Sequence, residues 1–187
     1  MPKQKITKEM VVEAAFSLAR EQGLENVTVR DIASELNCSV QPVYSYCKNM
    51  DGLRQDVMER SNLFIKKYIS EHLDRNDFFR SSGHAYIQLA KEEPNVFKMY
   101  VMSLRKDIDS LGAFYESETN PRMANYISDT LGISVAKARA LHMNMLIYTM
   151  GIGTILINAT PGIPEAEIHA QLELAYQAFL KQVVKKV

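Results

Sequence analysis

The stretch SVQPVYSYCKNMDGL, Ser39–Leu53, decides how this sequence is expected to fold. If Ser39 is the N-cap of a helix that begins at Val40, Pro42 is the third helical residue. Because the N–H groups of the first turn have no partner within a helix, proline is tolerated at that position. The stretch therefore predicts a short helix whose polar side chains are mainly glutamine, serine and tyrosine rather than charged residues.

Two further helices are predicted before this stretch. Thr7 is a suitable N-cap for the first, and Gly23 ends it in the manner of a left-handed C′ residue. Thr28 caps the second, with Asp31 three residues later at its amide-rich end. Asn37 follows, a residue type that tolerates a positive φ. The order of helix, tight turn and short helix predicts a helix-turn-helix.

The rest of the chain also predicts helices, and it shows no strand pattern or internal repeat. The expected helices run from Asp51 to about His72, from about Asp77 to before Pro94, from Pro94 to about Leu104, from Asn120 to Gly132, from Ser134 through a long apolar stretch, and from Pro164 to the C-terminus. Residues 106–120 are expected to form a loop or a short irregular segment. The predicted fold class is all-α, with about nine helices.

The composition is that of an ordinary soluble globular protein. Of 187 residues, 47% are hydrophobic and 24% charged, with 22 basic and 22 acidic side chains. Residues 1–53 contain six basic and seven acidic residues, a less basic balance than most nucleic-acid-binding domains have. No apolar run is long enough for a membrane span, and the N-terminal residues lack a signal-peptide core. We therefore expect a cytoplasmic protein without a membrane partner.

The short helix from Val40 suits the major groove of DNA. Val43 is expected to face the core, whereas Val40, Gln41, Tyr44 and Ser45 face outward. Glutamine can pair bidentately with adenine, and valine can contact a thymine methyl group. This helix is therefore expected to read an operator sequence.

Phosphate contacts would position the helix without specifying a sequence. Tyr44, Tyr46 and Lys48 can reach phosphates, and the amide-rich end of the second helix at Thr28 is a further phosphate site. The lysines that would form a basic arm beside the groove are Lys3, Lys5 and Lys8. The candidate DNA-binding residues are Thr28, Ser39, Val40, Gln41, Pro42, Tyr44, Ser45, Tyr46 and Lys48.

The segment GLENVTVRDIASELNCSVQPVYSYCKNMDGL, Gly23–Leu53, resembles the DNA-binding domain of the TetR family of bacterial transcriptional regulators. The residues that carry the resemblance are Gly23, Thr28, Ile32, Ala33, Ser39, Val43, Tyr44, Tyr46, Asp51 and Leu53. The stretch AYIQLAKEEPNVFKMY, Ala85–Tyr100, is also similar to the middle of many members. Three positions depart from the family pattern, which often has glycine, phenylalanine and lysine at Asn37, Cys47 and Met50. The last departure leaves open whether Lys48 replaces a phosphate contact.

The resemblance implies a two-domain regulator. Residues 1–50 would form the helix-turn-helix DNA-binding domain, and residues 51–187 a helical ligand-binding and dimerisation domain. It also implies a homodimer built on a four-helix bundle from the last two helices of each subunit. Such a dimer would bind a palindromic operator in double-stranded DNA and would release it when a small molecule binds. The sequence does not distinguish a repressor from an activator, and it does not identify the effector.

The later helices carry candidates for an effector site and for a dimer contact. Methionine-rich and aromatic surfaces adapt to apolar ligands, although plain core packing explains most such residues. We predict a mainly apolar pocket in which His142 or a tyrosine hydroxyl fixes one polar end of an apolar or amphipathic ligand; a hydrogen-bonded core histidine is the simpler alternative. The candidate ligand-binding residues are Tyr86, Phe97, Tyr100, Met123, His142, Met145 and Tyr148. The candidate dimer-interface residues are Leu146, Gly151, Gly153, Ile155, Leu172, Ala175 and Phe179.

An alternative function is an α-helical enzyme, or a small-molecule binding module without sequence-specific DNA binding. The sequence shows no phosphate-binding loop and no set of nucleophile, base and orienting residue. Cys38 and Cys47 are nine residues apart with no histidine nearby, unlike zinc ligands, and we expect both to be small core residues. We therefore expect no catalytic residue, no metal and no cofactor.

Overall fold

The computed structural model describes residues 6–46, 50–74, 76–159 and 162–184. Within these ranges the chain forms α-helices and one 3-10 turn, Leu24–Asn26, without a strand. The helices are α1 (Lys8–Gln22), α2 (Val29–Glu35), α3 (Val40–Tyr46), α4 (Met50–Glu71), α5 (Phe78–Glu92), α6 (Pro94–Val101), α7 (Leu111–Glu118), α8 (Met123–Leu131), α9 (Val135–Asn158) and α10 (Glu165–Val184). The prediction of an all-α fold is confirmed.

The first two helices begin at the predicted caps. The Thr7 hydroxyl accepts a hydrogen bond from the N–H of Met10, and Gly23 ends α1 with φ of 85°. This positive φ is a conformation that favours glycine over other residues. Thr28 and Asp31 form a reciprocal capping box at the start of α2.

The turn between α2 and α3 depends on Asn37, as predicted. Its φ is 49°, which lies in the left-handed region. The N–H of Cys38 donates to the carbonyl of Ala33 at 2.9 Å, and the N–H of Asn37 donates to Ser34 at 3.0 Å. These two bonds form a Schellman motif that satisfies the last carbonyl groups of α2. The chain is thereby redirected into α3 at Val40.

The described chain divides into two compact units, of which the first comprises residues up to Glu71 together with Leu89–Ser103. In this unit α6 is held against α1 by polar contacts. Arg20 pairs with Glu93, and the Asn95 side-chain amide donates to the carbonyl of Arg20 at 2.8 Å. Lys98 pairs with Glu25. The predicted domain boundary at residue 50 concerns function and stays a prediction.

The second unit comprises His72–Gln88 and the chain from Leu104 onward. One apolar cluster is formed by Phe79, Ile127, Ala138, Leu141, Tyr176 and Val183. A smaller cluster is formed by Ile87, Ile168 and Leu172. Gly132, with φ of 62°, ends α8, and the Ser134 hydroxyl caps α9 by accepting from the N–H of Lys137, both as predicted.

The prediction of a loop over residues 106–120 is wrong, because Leu111–Glu118 forms α7. The Ser110 hydroxyl caps this helix by accepting from the N–H of Ala113 at 3.1 Å. Tyr115 is only 3% exposed, and Glu118 pairs with Arg105 through side chains that are both mostly buried. Long-range burial thus stabilises a short helix that contains Gly112 and has no regular apolar period.

Candidate DNA-binding surface and effector region

The side chains of α3 point as the sequence predicts. Val43 is completely buried, whereas Val40 is 40% and Tyr44 58% exposed. Gln41 and Ser45 are exposed as well. A seven-residue helix that buries one valine and exposes its polar face can insert that face into a groove without disturbing the core.

Three other predicted contacts on this helix differ in what they can offer. Ser39 is exposed directly before α3, and Pro42 lies half-buried in the first turn. The Ser45 hydroxyl donates to the carbonyl of Gln41 at 3.0 Å. Because a hydroxyl has one proton, Ser45 in this rotamer can only accept a hydrogen bond from DNA, for example from a base amino group.

The phosphate contact predicted for Tyr46 stays a prediction, and the structure shows a different partner for this side chain in the free protein. Its hydroxyl donates instead to the backbone carbonyl of Ile6 at 2.7 Å, a normal O–H···O length. The phenol has no second proton for a phosphate oxygen. Tyr46 therefore links the last residue of α3 to the segment that enters α1.

The phosphate site predicted at Thr28 is already occupied by a carboxylate. The N–H of Thr28 donates to Asp31 Oδ2 at 2.9 Å, and the Thr28 hydroxyl donates to the same oxygen at 2.6 Å. The hydrogen bond from the Thr28 hydroxyl lowers the pKa of the Asp31 carboxyl most, and the bond from the Thr28 backbone N–H lowers it further. A phosphate that accepted from the Thr28 N–H would have to displace this carboxylate, and the phosphate contact at Thr28 stays a prediction.

The predicted basic residues fall into two groups. Lys3, Lys5 and Lys48 lie outside the described residues, as does Cys47. Lys8 is described, and its ammonium group pairs with Asp56 of α4 at 2.8 Å. That pair joins two helices of the first unit, which makes Lys8 a poor member of a basic arm.

The seven predicted ligand-binding residues do not lie together in one unit. Phe97 and Tyr100, fully and almost fully buried, pack edge to face with each other in the first unit. The other five belong to the second unit. There Met123 and Met145 border the cluster around Leu141. The remaining members are Tyr86, which is half-buried, Tyr148, which borders the smaller cluster, and His142.

His142 is the buried imidazole among these candidates, with 9% of its surface exposed. Its Nδ1 lies 2.9 Å from the Tyr115 hydroxyl, and the Phe79 ring meets the imidazole edge to face at 5.5 Å between centroids. Burial lowers the pKa of His142 to about 4. A neutral imidazole enclosed by aromatic rings can accept or donate one hydrogen bond. Neither Phe79 nor Tyr115 is predicted from the sequence as part of this site. Tyr115 lies in the segment predicted as a loop.

The predicted dimer residues divide by exposure. Leu172 is 4% exposed within the smaller cluster, and Ala175 is 9% exposed, so the chain's own core already covers both. Phe179 packs beside the larger cluster, Leu146 is half-buried, and Gly153 is buried. Ile155 is 57% exposed and Gly151 is exposed. Leu172 and Ala175 are therefore poor candidates, because a partner can contact only exposed surface.

Comparison with known proteins finds a family match in the first unit. The family model described as "Bacterial regulatory proteins, tetR family" matches residues 11–57, which include the helix-turn-helix. An uncharacterized HTH-type transcriptional regulator, YobS of Bacillus subtilis (strain 168), is 23% identical over 106 residues, or 55% of this chain. The alignment spans 56% of the length of that curated relative.

Solved structures share the fold over nearly the whole chain. A TetR variant from Acinetobacter baumannii AYE in complex with minocycline is 15% identical, with a TM-score of 0.65 over 97% of this chain and 100% of that one. BioQ with its natural double-stranded DNA operator is also 15% identical, with a TM-score of 0.58 over 93% of this chain and 98% of that one. The matched helix-turn-helix and this shared all-α fold support the TetR family of bacterial transcriptional regulators for this chain.

Proposed function

We propose that this protein is a repressor that binds a palindromic operator as a homodimer and leaves it when a small apolar or amphipathic effector binds. The observation that carries the proposal is the division of α3, with Val43 buried and a polar face exposed beside it. The proposed acceptor of this face is the major groove. BioQ, one structural neighbour, was solved with its own double-stranded DNA operator.

Gln41 is the proposed base-reading residue. Its exposed amide can pair with adenine N6 and N7, and the exposed methyl groups of Val40 can contact thymine. Tyr44 is the proposed phosphate donor, because its ring is the most exposed on α3. Such contacts place the helix, while Gln41 and Val40 supply the sequence preference.

A second copy of the chain is the proposed cover for α9. Among the described residues this helix alone is long and apolar enough to cross a membrane by length and composition, yet only 17% of its most apolar window is buried. Two of its polar residues are engaged within the unit, since Arg139 pairs with Glu116 and His142 with Tyr115. A partner's helices therefore suit this surface better than lipid, and we propose a cytoplasmic homodimer.

The dimer would place two α3 helices on successive half-sites. Half-sites of helix-turn-helix dimers are separated by about 34–36 Å, one turn of DNA, or a multiple of it. One such head cannot reach both half-sites by itself. Operator recognition would therefore depend on the apolar surface of α9 and α10, which lies far from α3 in sequence.

The proposed effector site lies in the second unit near His142. The residues proposed to line it are Tyr86, Met123, His142, Met145 and Tyr148, with Phe97 and Tyr100 assigned to core packing instead. One structural neighbour was solved with minocycline, a small molecule. A neutral imidazole beside a tyrosine hydroxyl can fix one polar group of a mainly apolar ligand.

Release of the operator requires a defined coupling between the two ligands. We propose that the signal reaches α3 through α4, which directly follows the helix-turn-helix. A hundredfold loss of operator affinity corresponds to about 2.7 kcal/mol of coupling, and the operator must weaken effector binding by the same factor. Calorimetry with and without operator tests this, and equal effector affinities would exclude that molecule as the inducer.

The test of DNA binding begins with selection of binding sequences from random DNA. We expect a palindrome to be enriched and bound in a salt-dependent manner. Gln41→Ala should weaken binding to that palindrome by about 1–3 kcal/mol and leave non-specific binding nearly unchanged. Lys48→Ala should weaken both and lower the salt slope by about one. Failure to enrich any sequence would reject the proposal, and an equal loss in both modes for Gln41→Ala would reject its base contact.

A further inference from the structure

Two histidines of the second unit lie close together, one on α5 and one on α10. The ring centroids of His84 and His169 are 4.6 Å apart, and the angle between the two ring planes is 31°. Two imidazoles that bind one metal ion side by side have ring centres about 4.5–5 Å apart, given metal–nitrogen bonds of about 2.0–2.1 Å. The spacing of these two rings, called here the histidine pair, lies within that range.

The ring nitrogens of the histidine pair have different surroundings. His84 Nδ1 is buried and has no hydrogen-bond partner among the described residues. A buried nitrogen without a partner is costly unless a water, an ion or a ligand satisfies it. His169 Nε2 lies 3.4 Å from Glu165 Oε1, one turn earlier on α10. A carboxylate beside one nitrogen of a histidine orients the ring and leaves the other nitrogen for a metal ion.

The charges around the histidine pair favour a cation. Arg80, one turn before the histidine of α5, pairs with Asp77 and with Glu173 of α10. Together with Glu165, this neighbourhood holds three carboxylates and one guanidinium group, so the carboxylates are in excess by two. The side chain of His169 is 42% exposed, so an ion can approach the pair from solvent.

We propose that His84 and His169 form a binding site for one divalent transition-metal ion of the zinc, nickel and copper class. Imidazole nitrogen suits these ions, whereas Mg²⁺ and Ca²⁺ prefer oxygen ligands. Within the described ranges no three histidine, cysteine, aspartate or glutamate side chains are arranged to hold a metal, so the chain supplies two ligands and water fills the other positions. A bound ion would join α5 to α10. The proposal depends neither on DNA binding nor on the effector proposed near His142.

The test is a calorimetric titration of the full chain, free of any affinity tag, with zinc chloride and with nickel chloride. We expect one ion to bind per chain, and magnesium chloride to give no binding. His84→Gln and His169→Gln should each weaken Zn²⁺ binding by at least about tenfold, because loss even of a residue that orients a ligand costs about 10- to 100-fold. His142→Gln removes a histidine of the same unit outside the pair. It is the matched control and should bind Zn²⁺ as the wild-type chain does.

Copper gives a second readout. Electron paramagnetic resonance of the Cu²⁺-loaded chain should show coupling to two imidazole nitrogens, and to one in either single variant. If His84→Gln does not fold, His169→Gln decides the test, because the partly exposed side chain of His169 tolerates substitution. Absence of zinc and nickel binding, or affinities unchanged in the folded variants, would show that the two rings are only a packing contact and would overturn the proposal.

Discussion

Helices α2 and α3 have seven residues each, whereas α9 and α10 have 24 and 20. Seven-residue helices are not stable in isolation, so α2 and α3 depend on a capping box, a Schellman turn and a few buried side chains. The long helices have enough turns to form readily and carry apolar residues on several sides. In the short pair the buried and capping side chains have clear roles, whereas in the long pair the role of an apolar side chain depends on what covers its face.

The largest effect is expected from charges on the exposed side of the long helices. Ile155→Asp combined with Leu174→Asp places two carboxylates on residues that are 57% and 63% exposed in the single chain. The chain should stay folded but become monomeric in sedimentation velocity, because a dimer contact would bury both charges. Operator affinity should fall by about 10²- to 10⁴-fold through loss of bivalent binding. A dimer that survives both charges would place the interface on another surface.

Leu172→Ala is the matched control for that pair. Leu172 lies on the same helix as Leu174 but is only 4% exposed. The substitution should lower the free energy of unfolding by about 2–5 kcal/mol, as for other core leucines, without changing the dimer's own geometry. Chemical denaturation measures this. A variant with unchanged stability and weakened dimerisation would return Leu172 to the interface.

The pH dependence of stability should reveal the buried imidazole of α9. His142 has a folded-state pKa of about 4, against 6.5 for an ordinary histidine. The unfolded chain therefore binds the extra proton between these values, so the stability conferred by neutral His142 is complete above pH 6.5 and is lost as the pH falls towards 4. The loss should reach about 3 kcal/mol, at about 1.4 kcal/mol per pH unit.

Denaturation curves recorded from about pH 3.5 to about pH 7.5 measure that loss. His142→Gln should remove this part of the slope while keeping a side chain that can bond to the Tyr115 hydroxyl. A slope that persists in His142→Gln would show that the imidazole is solvated in the folded chain.

Removing a helix N-cap should lower the free energy of unfolding by a similar amount in both regions, but the two removals should differ in their effect on DNA binding. Thr28→Ala and Ser134→Ala each remove a hydroxyl that accepts from a first-turn N–H, which should cost about 1 kcal/mol. Only Thr28→Ala should also weaken operator binding, because α2 supports the turn into α3. Hydrogen bonding to Thr28 lowers the pKa of the Asp31 carboxyl. The stability that the Asp31 carboxylate contributes is therefore complete above the unfolded-state pKa of this group, and it is lost as the pH falls through the folded-state pKa. Equal operator affinity for the two variants would contradict this division.

The smallest effects should come from two glycines inside long helices. A β-carbon at Gly83 of α5 would lie 3.7 Å from the Thr149 hydroxyl, an ordinary contact, and one at Gly151 of α9 would meet nothing within 4 Å. Both alanine variants should stabilise the single chain by about 0.5–1 kcal/mol. Gly151→Ala should in addition weaken the dimer if a partner's backbone approaches there. Analytical ultracentrifugation over a dilution series separates the two, and an unchanged dimer would remove Gly151 from the interface.

Local signals allowed most of the first region to be predicted from sequence. Thr28, Asn37 and Pro42 each restrict the backbone through their own chemistry, and the structure places all three as expected. The Tyr46 hydroxyl bond could not be predicted, because its acceptor is a backbone carbonyl 40 residues away. Every residue has a backbone carbonyl group, so the sequence does not indicate which one accepts this bond.

The second region was harder to predict for a different reason. In α10 the apolar residues are too numerous to select one face, so Leu172 was assigned to an interface although the chain's own core buries it. In α7 the opposite holds, since a short helix with Gly112 lacks a regular apolar period and depends on Tyr115 and Arg105. Apolar spacing does not identify the buried face of a helix when apolar residues occur on every side, and it does not predict a helix that lacks a regular apolar spacing.

The contacts between α1 and α6 have a consequence for synthesis on the ribosome. The ion pair of Arg20 with Glu93 joins residues 73 positions apart. Asn95 bonds to the carbonyl of Arg20 near the end of α1, and Lys98 pairs with Glu25 of the 3-10 turn that follows. At about 5–20 residues per second, several seconds separate the emergence of α4 from that of α6. During this interval the DNA-binding helices exist without the helix that completes their unit. A nascent chain stalled before Glu93 should therefore be more sensitive to protease than one stalled well beyond Ser103.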